Sequence, residues 1–515
     1  MQIDPTPCRA PGTGTSDAVF TLAFGVPARS IDALTAEIRA EEAHAQRWQS
    51  RYFDTQDERL AARGVFLSLC KRGRDWVQVA SSTTADCVRL LVHEVGLGTR
   101  RNGAVPGLLP TRHEGTAVGA ALRAALGDVV PDEADDATRL VESFAVDATR
   151  LARLARGRQS TVELALTSCT ITTNDAAMPF MDFELRWVSG SLAEMFALAQ
   201  DWSARHGLWV STTSTGEQGS RLAAGRPDGF PTTATAPVID PIDDGATFLV
   251  ATLDSCLTQI VGNVGAVGEG APDRHVIDQL RHGLERIRTA LAELSAVAPD
   301  IAATWEPVFK RTFHELAAHR GAAALCAPLI QEMRAAGLGY ALTSAHPRET
   351  RTPGEIVRDP EFQKTLIAVL AYCHALPPPM RPGQGSLKQL RQHFGGELSE
   401  RHAQVARDAG KLASVASRRR ASRHLDHLVR LAAFAGPLYD VRHVDGFLVR
   451  CRIAQDAFSV DREHRAGFES LMDDGETGTD VKLARRWLAV RLADDREQCE
   501  ALLRGAGKAA SFWAA

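Results

Sequence analysis

Residues 162–167 read Val-Glu-Leu-Ala-Leu-Thr, and residues 182–187 read Asp-Phe-Glu-Leu-Arg-Trp. In the first run Val162, Leu164 and Leu166 fall on one side of an extended chain, with Glu163, Ala165 and Thr167 on the other. In the second, Phe183, Leu185 and Trp187 oppose Asp182, Glu184 and Arg186. A period of two with unlike faces is the mark of a β-strand. Toward the N-terminus, short apolar runs at 19–24, 64–69, 76–79 and 88–92 are bounded by Gly, Asp or Thr and read the same way. Helical patterns interrupt at 31–44, 117–126 and 191–206. Many strands with a few helices over residues 17–222 predict an antiparallel sheet or barrel.

Downstream, residues 223–245 are rich in Pro, Thr and Ala, which predicts a linker and places the domain boundary there. Beyond it the pattern is helical at 247–265, 273–297, 302–336, 355–375, 386–414, 417–435, 440–458 and 479–504. Pro377, Pro378, Pro379 and Pro382 cannot sit inside a helix, so residues 246–515 divide into halves at about 246–375 and 386–505. Each half carries an Arg-rich helix, at 274–294 and 418–434, which hints at a duplication. The fold class is therefore multidomain α+β: an antiparallel β-tunnel or barrel with helices, then an all-α pair of helical bundles with a pseudo-two-fold repeat. Residues 1–16 are expected to be disordered.

A chain of 515 residues is too long for one ordinary domain, and 44% apolar residues can fill real cores. The nine cysteines are scattered, with no C-x-x-C or zinc spacing, which fits reduced thiols. The start lacks a basic segment followed by an apolar one, and no stretch approaches 18 uninterrupted apolar residues. These features predict a cytoplasmic protein without a membrane partner. The net charge of −4 conceals a split: 24 Lys and Arg against 31 Asp and Glu in residues 1–245, but 35 against 32 in 246–515. Residues 401–430 hold Arg401, Arg407, Lys411, Arg418, Arg419, Arg420, Arg423 and Arg430 against only Asp408 and Asp426. An anionic partner would be drawn there.

Residues 17–222 resemble a CYTH domain, the triphosphate-tunnel fold. The resemblance rests on Tyr52-Phe53-Asp54-Thr55, Leu60, the run 64–69, Trp76-Val77, 162–166, Phe183-Glu184-Leu185 and Gly219-Ser220-Arg221-Leu222. It implies a tunnel in which carboxylates hold a divalent metal while Arg and Lys grip triphosphate oxygens. This chain departs from that pattern. Val19, Thr21 and Ala23 stand where an E-x-E-x-K strand is expected, Ser68 and Cys70 replace R-x-R, and Ser81, Thr215 and Gln218 fall at further basic positions. Glu163, Asp182 and Glu184 remain as remnant metal candidates, with Arg150 beside them; the alternative is a solvated or internally paired strand face. No catalytic residue and no cofactor is assigned.

Residues 246–515 resemble a CHAD domain, whose family is associated with binding inorganic polyphosphate. Asn263, Gln279-Leu280-Arg281, Leu284, Arg286-Ile287-Arg288, Pro437-Leu438-Tyr439 and Gln455-Asp456-Ala457 carry it. Cations at i, i+3, i+7 and i+10 of a helix form one stripe, and two such helices could line a groove for a phosphate chain. The first stripe, Asp278, Arg281, Glu285 and Arg288, is nearly neutral; the second, in the register Arg420, Arg423, His427 and Arg430, is basic throughout. Lys310, Arg407 and Lys411 complete the candidate set, Arg407 and Lys411 sharing a predicted face with Arg418. Four like charges on one stripe repel unless a counterion joins them, which points to a polyanion such as polyphosphate, and to association with polyphosphate granules. No His cluster has a third ligand at metal spacing.

The function these readings imply is polyphosphate binding by the helical part, with a non-catalytic tunnel domain that could present a surface to a protein partner. Two rivals stay open: residual metal-dependent triphosphatase activity in the tunnel, and a protein-interaction module that has lost anion binding.

Overall fold

The structure, a computed structural model, describes residues 18–83, 88–99, 104–127, 139–226, 231–239, 244–270, 274–294, 299–319, 327–338, 351–375, 386–473 and 479–514. The N-terminal segment 1–16 and the Pro-rich segment 376–385 lie outside them. The chain forms two compact units. One comprises residues 1–232 with 257–276 and 357–376; the other comprises 233–256, 277–356 and 377–515.

In the first unit the strands are β1 (Ala18–Gly25), β2 (Ala43–Asp54), β3 (Val65–Arg72), β4 (Asp75–Thr83), β5 (Arg89–Thr99), β6 (Val141–Arg156), β7 (Ser160–Thr172), β8 (Ala177–Gly190) and β9 (Trp209–Val210). They pair in the order β5-β4-β3-β2-β6-β7-β8-β1, all antiparallel, and β1 returns to β5 with Ala18 opposite Leu91. The result is an eight-stranded barrel, with the two-residue β9 paired to the end of β1. The predicted barrel is present, but its two long central strands are not where the sequence pattern put regular structure. The helix expected at 31–44 ends at Arg39, so that Ala43 and His44 open β2, and β6 has no counterpart among the predicted strands.

Register divides the barrel residues into two faces. Thr21 pairs with Arg186 and Ala23 with Glu184; Arg186 pairs with Glu163, Asp182 with Thr167, and Thr167 with Arg150. Ser68 pairs with Tyr52 and Cys70 with Ser50. Cross-strand partners share a face, so all of these line the interior. The opposite face is apolar where it meets α3 (Leu192–His206): Phe24 lies against Phe183, and Phe183 stacks on Trp202 at 5.1 Å. Ser191 caps α3 by accepting from the Glu194 amide, and Gly207 ends it at φ 64°.

The motif at 52–55 has a structural explanation. Asp54, buried at the end of β2, accepts the amides of Thr55 (2.7 Å) and Leu60 (2.9 Å) on Oδ1 and that of Ala61 (2.9 Å) on Oδ2. One carboxylate thus organises the whole turn, which Gly64, at φ 63°, closes before β3.

The remaining helices are α1 (Ile31–Arg39), α2 (Ala117–Leu126), α4 (Thr215–Ala223), α5 (Gly245–Glu269), α6 (Arg274–Glu293), α7 (Pro299–Ala318), α8 (Ala327–Ala335), α9 (Pro353–Val357), α10 (Pro360–His374), α11 (Leu387–Asp408), α12 (Val415–Ala435), α13 (Val441–Asp473) and α14 (Thr479–Ala506). In place of the single helix predicted at 302–336 there are α7 and α8, and the helix predicted at 440–458 runs on to Asp473. Gly262, Gly265 and Gly268 form a small-residue edge on α5. A Cβ on them would collide with Thr232, Ser211 and Trp209 respectively, so bare backbone lets the helix close on those residues of its own unit. Gln363 of α10 accepts the Val210 amide at 2.9 Å in the same unit. Among the described residues α5 is the one helix long and apolar enough to cross a membrane, and 61% of its most apolar window is buried inside the protein. In the second unit α11 packs on α12, α12 on α13 and α13 on α14. Leu329, Met333, Leu471, Val481, Ala484 and Leu488 form a core joining α8 to α13 and α14. Of the described cysteines, Cys70, Cys169, Cys256, Cys451 and Cys499 are free and buried.

Candidate polyanion site and the barrel interior

The acids that survive in the barrel interior are engaged with bases that survive there too. Arg150 donates to Glu163 Oε2 at 2.9 Å and lies 3.7 Å from Glu184, while Arg186 lies 3.9 Å from Glu163. Burial alone would raise Glu163, but the charge and hydrogen bond of Arg150, aided by Arg186, hold it below the usual carboxylate range. Asp182 is different: burial, reinforced by the Glu184 charge, pushes it up to about 8 against the pull of Arg150. A second interior pair, Arg72 with Glu94 at 2.5 Å, escaped the sequence reading. Alternation alone could have found Arg72, two residues beyond Cys70 on the same face of β3. Part of the interior is apolar, with Phe144, Val146, Cys169 and Ile171 packed against Trp48, Tyr52, Met178 and Phe180. Arg150 takes the place between Glu163 and Glu184 that a divalent cation would need, so these carboxylates do not fit a metal. Among the described residues no group of three or more His, Cys, Asp or Glu could hold one.

In the helical unit the structure sorts the candidate cations by partner. Arg281 pairs with Asp278 at 3.2 Å and lies 5.2 Å over Phe313; Arg288 pairs with Glu306 at 3.0 Å and lies over the same ring. The basic face of α12 splits in two. In its C-terminal half, His427 meets Glu293 at 3.0 Å, and Arg430 meets Glu285 at 3.1 Å and Thr289 at 3.2 Å. The counterions that the four-cation stripe demanded are, for these two residues, side chains of α6. Arg418 also leaves the predicted face it was to share with Arg407 and Lys411. It is buried, donates to the Leu412 carbonyl, and lies 3.4 Å from Asp461. The physical reason is that α11 stops at Asp408 and α12 restarts at the Ser414 cap, so no single helix carries all three.

What remains is a compact cationic pad around that break. Arg407 donates to Gln404 at 2.6 Å, and Gln404 donates to Asp408. Asp408, itself buried, meets His424 at 2.6 Å and lies 3.8 Å from Arg420. Arg423, one turn beyond Arg420, and Lys411 are exposed with no ion-pair partner among the described residues. Lys310 is likewise exposed, on α7. The pad therefore presents Arg407, Lys411, Arg420 and Arg423 to solvent over one buried acid, and can hold anionic oxygens by charge without directional selectivity.

A closed antiparallel barrel, followed by helices with Arg-rich faces, defines the two-part class that the sequence suggested. Residues 251–462 match the CHAD domain family model. No curated protein matches the chain. Similar solved structures include the CHAD domain of the plant Ricinus communis, at 20% identity, TM-score 0.39, covering 53% of this chain and 96% of that one. They also include the Hippeastrum protein HpAC1, described as having a dominant triphosphatase activity (11% identity, TM-score 0.26, 40% of this chain and 96% of that one). A third is PH1012 from Pyrococcus horikoshii OT3 (12%, TM-score 0.23, 39% and 98%).

Proposed function

We propose that this protein binds inorganic polyphosphate, or a comparable polyanion, through the pad formed by Arg407, Lys411, Arg420 and Arg423. The observation that carries the reading is that Arg423 and Lys411, exposed beside Arg420, have no ion-pair partner among the described residues, where neighbouring cations of the same domain have internal counterions. Four cations held around one buried carboxylate repel one another, and a phosphate chain relieves that repulsion while releasing its own counterions. The CHAD match supports the same ligand class, since that family is associated with polyphosphate. In this reading the barrel is a non-catalytic companion, available as a surface for a protein partner, and the protein works in the cytoplasm at polyphosphate granules.

The test is titration of the full chain with long-chain polyphosphate at low and moderate salt. Binding is expected, with affinity falling steeply as salt rises. Absence of binding at low salt, or affinity indifferent to salt, refutes the proposal.

A further inference from the structure

Both oxygens of Asp408, the buried acid under the cationic pad, are engaged: Gln404 donates to Oδ1 at 3.3 Å, and His424 Nδ1 lies 2.6 Å from Oδ2. A carboxylate only accepts, so the hydrogen of the second bond sits on His424 Nδ1, and the contact fixes the tautomer of the ring. The Asp408 side chain is 4% exposed and the imidazole 33%, so the ring meets solvent on the edge turned away from the acid. On that edge Nε2 has no hydrogen-bond partner among the described residues and stays accessible.

The neighbours of this imidazole are the cations of the pad. Arg420 and Arg423 flank it on α12, Arg407 is tied to Gln404 at 2.6 Å, and the Lys411 amide donates to the Asp408 carbonyl at 2.9 Å. His427, on the next turn, is engaged with Glu293 of α6. Asp408 is the acid paired with His424 among the described residues. With Nδ1–H fixed, a neutral ring presents a lone pair at Nε2, which repels a phosphate oxygen. A protonated ring presents a charged N–H donor in the same place. An anion arriving at Nε2 therefore finds a donor only on the protonated ring, and the anion and the proton favour each other's binding.

We propose that His424 is a further ligand-binding residue of the pad, with Asp408 as its positioning residue. His424 meets the polyanion as imidazolium, so binding takes up a proton from solvent at Nε2. This role rests on the polyanion reading given above and adds to it a dependence on pH.

The test is titration of the full chain at low salt, at pH 6 and pH 8, with long-chain polyphosphate, whose internal phosphates keep a constant charge between those values. Affinity should be higher at pH 6 by about threefold or more, the effect of one exposed charge contact. His424→Asn keeps a donor where Nδ1 was but has nothing at Nε2, and should bind at pH 6 only as well as the parent does at pH 8. His424→Lys is charged at both values and should bind at pH 8 as tightly as the parent does at pH 6. At pH 6 the slope of log affinity against log salt should be shallower in His424→Asn than in the parent, by up to about one unit. Thermal melting establishes that each variant is folded, and if His424→Asn is not, His424→Lys decides. No binding at either pH refutes the polyanion reading and this role with it. Equal affinity at the two pH values, a pH dependence retained by His424→Asn, or His424→Lys no tighter than the parent at pH 8 overturns the role of His424 and leaves the pad standing.

Discussion

Arg430 donates to Glu285 across the space between α12 and α6 at 3.1 Å, and one turn earlier His427 meets Glu293 in the same manner. The two Arg-rich helices thus face each other, with acids on one meeting bases on the other. Glu285→Gln removes the clamp on Arg430 and should return that cation to solvent. Polyphosphate affinity of the full chain should rise, and the slope of log affinity against log salt should steepen by up to about one unit. An unchanged slope would mean that Arg430 stays bound to Thr289.

Replacing Arg407, Arg420 and Arg423 together with Gln should cut polyphosphate affinity by about tenfold or more, at roughly 0.7 kcal/mol per exposed contact. Replacing Arg281 and Arg288 should do less, because Asp278 and Glu306 already neutralise them. Side-by-side titrations at one salt concentration rank the two sets.

The barrel should release no phosphate from tripolyphosphate or ATP in the presence of Mg2+ or Mn2+ above the uncatalysed rate. Phosphoryl transfer depends on preorganised charge, and one lost contact typically costs about 10²–10³ in rate. Here Val19, Thr21, Ala23, Ser68, Cys70 and Ser81 stand at several such positions together. Turnover that disappears in a Glu163→Gln, Glu184→Gln double variant would contradict this.

Asp182, at about 8 in the folded protein, ionises near 3.8 in the unfolded chain. The folded state therefore holds a proton that the unfolded state has lost, and stability drains away as pH rises from about 4 to 8. Asp182→Asn removes the penalty. The variant should melt higher than the parent at pH 7 and above, with the difference shrinking toward pH 4.

The mirror case is His113, fully buried on the outer side of β4. Gln78 spends its two amide hydrogens on the Leu109 carbonyl and on His113 Nε2, so His113 Nδ1 carries the hydrogen shared with His93 at 2.9 Å. Burial, then the neighbouring His93 and Arg112, lower His113 to about 4. Because the unfolded imidazole titrates near 6.5, the unfolded chain takes up its proton first as pH falls. Stability should decline between about 6.5 and 4, by about 3 kcal/mol in all. Urea titrations at pH 7, 5.5 and 4.5 on the parent and a His113→Asn variant isolate this contribution.

The strands that alternate cleanly, β7 and β8, were legible because one face is charged and the other apolar. β6 was not. Its second half, Arg150-Leu151-Ala152-Arg153-Leu154-Ala155-Arg156, carries residues that favour helix, and only twelve cross-strand partners on β2 and as many on β7 hold it extended. The cationic character of α12 was readable from composition. Which of its bases are spent internally was not, because Glu285 and Glu293 lie more than a hundred residues away in sequence and meet α12 only in the fold.

The compact unit that begins with the barrel takes back residues 257–276 and 357–376 after the chain has moved on to other structure. During synthesis residue 376 follows residue 232 by 144 positions, which at about 5–20 residues per second is roughly 7–30 s. Trp209, Ser211 and Thr213 wait for the bare edge of α5 only until residue 268, but the Val210 amide waits for Gln363 through most of that interval. The nascent barrel thus stays incompletely packed until its last segment arrives, and a ribosome stalled in between should leave it open to proteases.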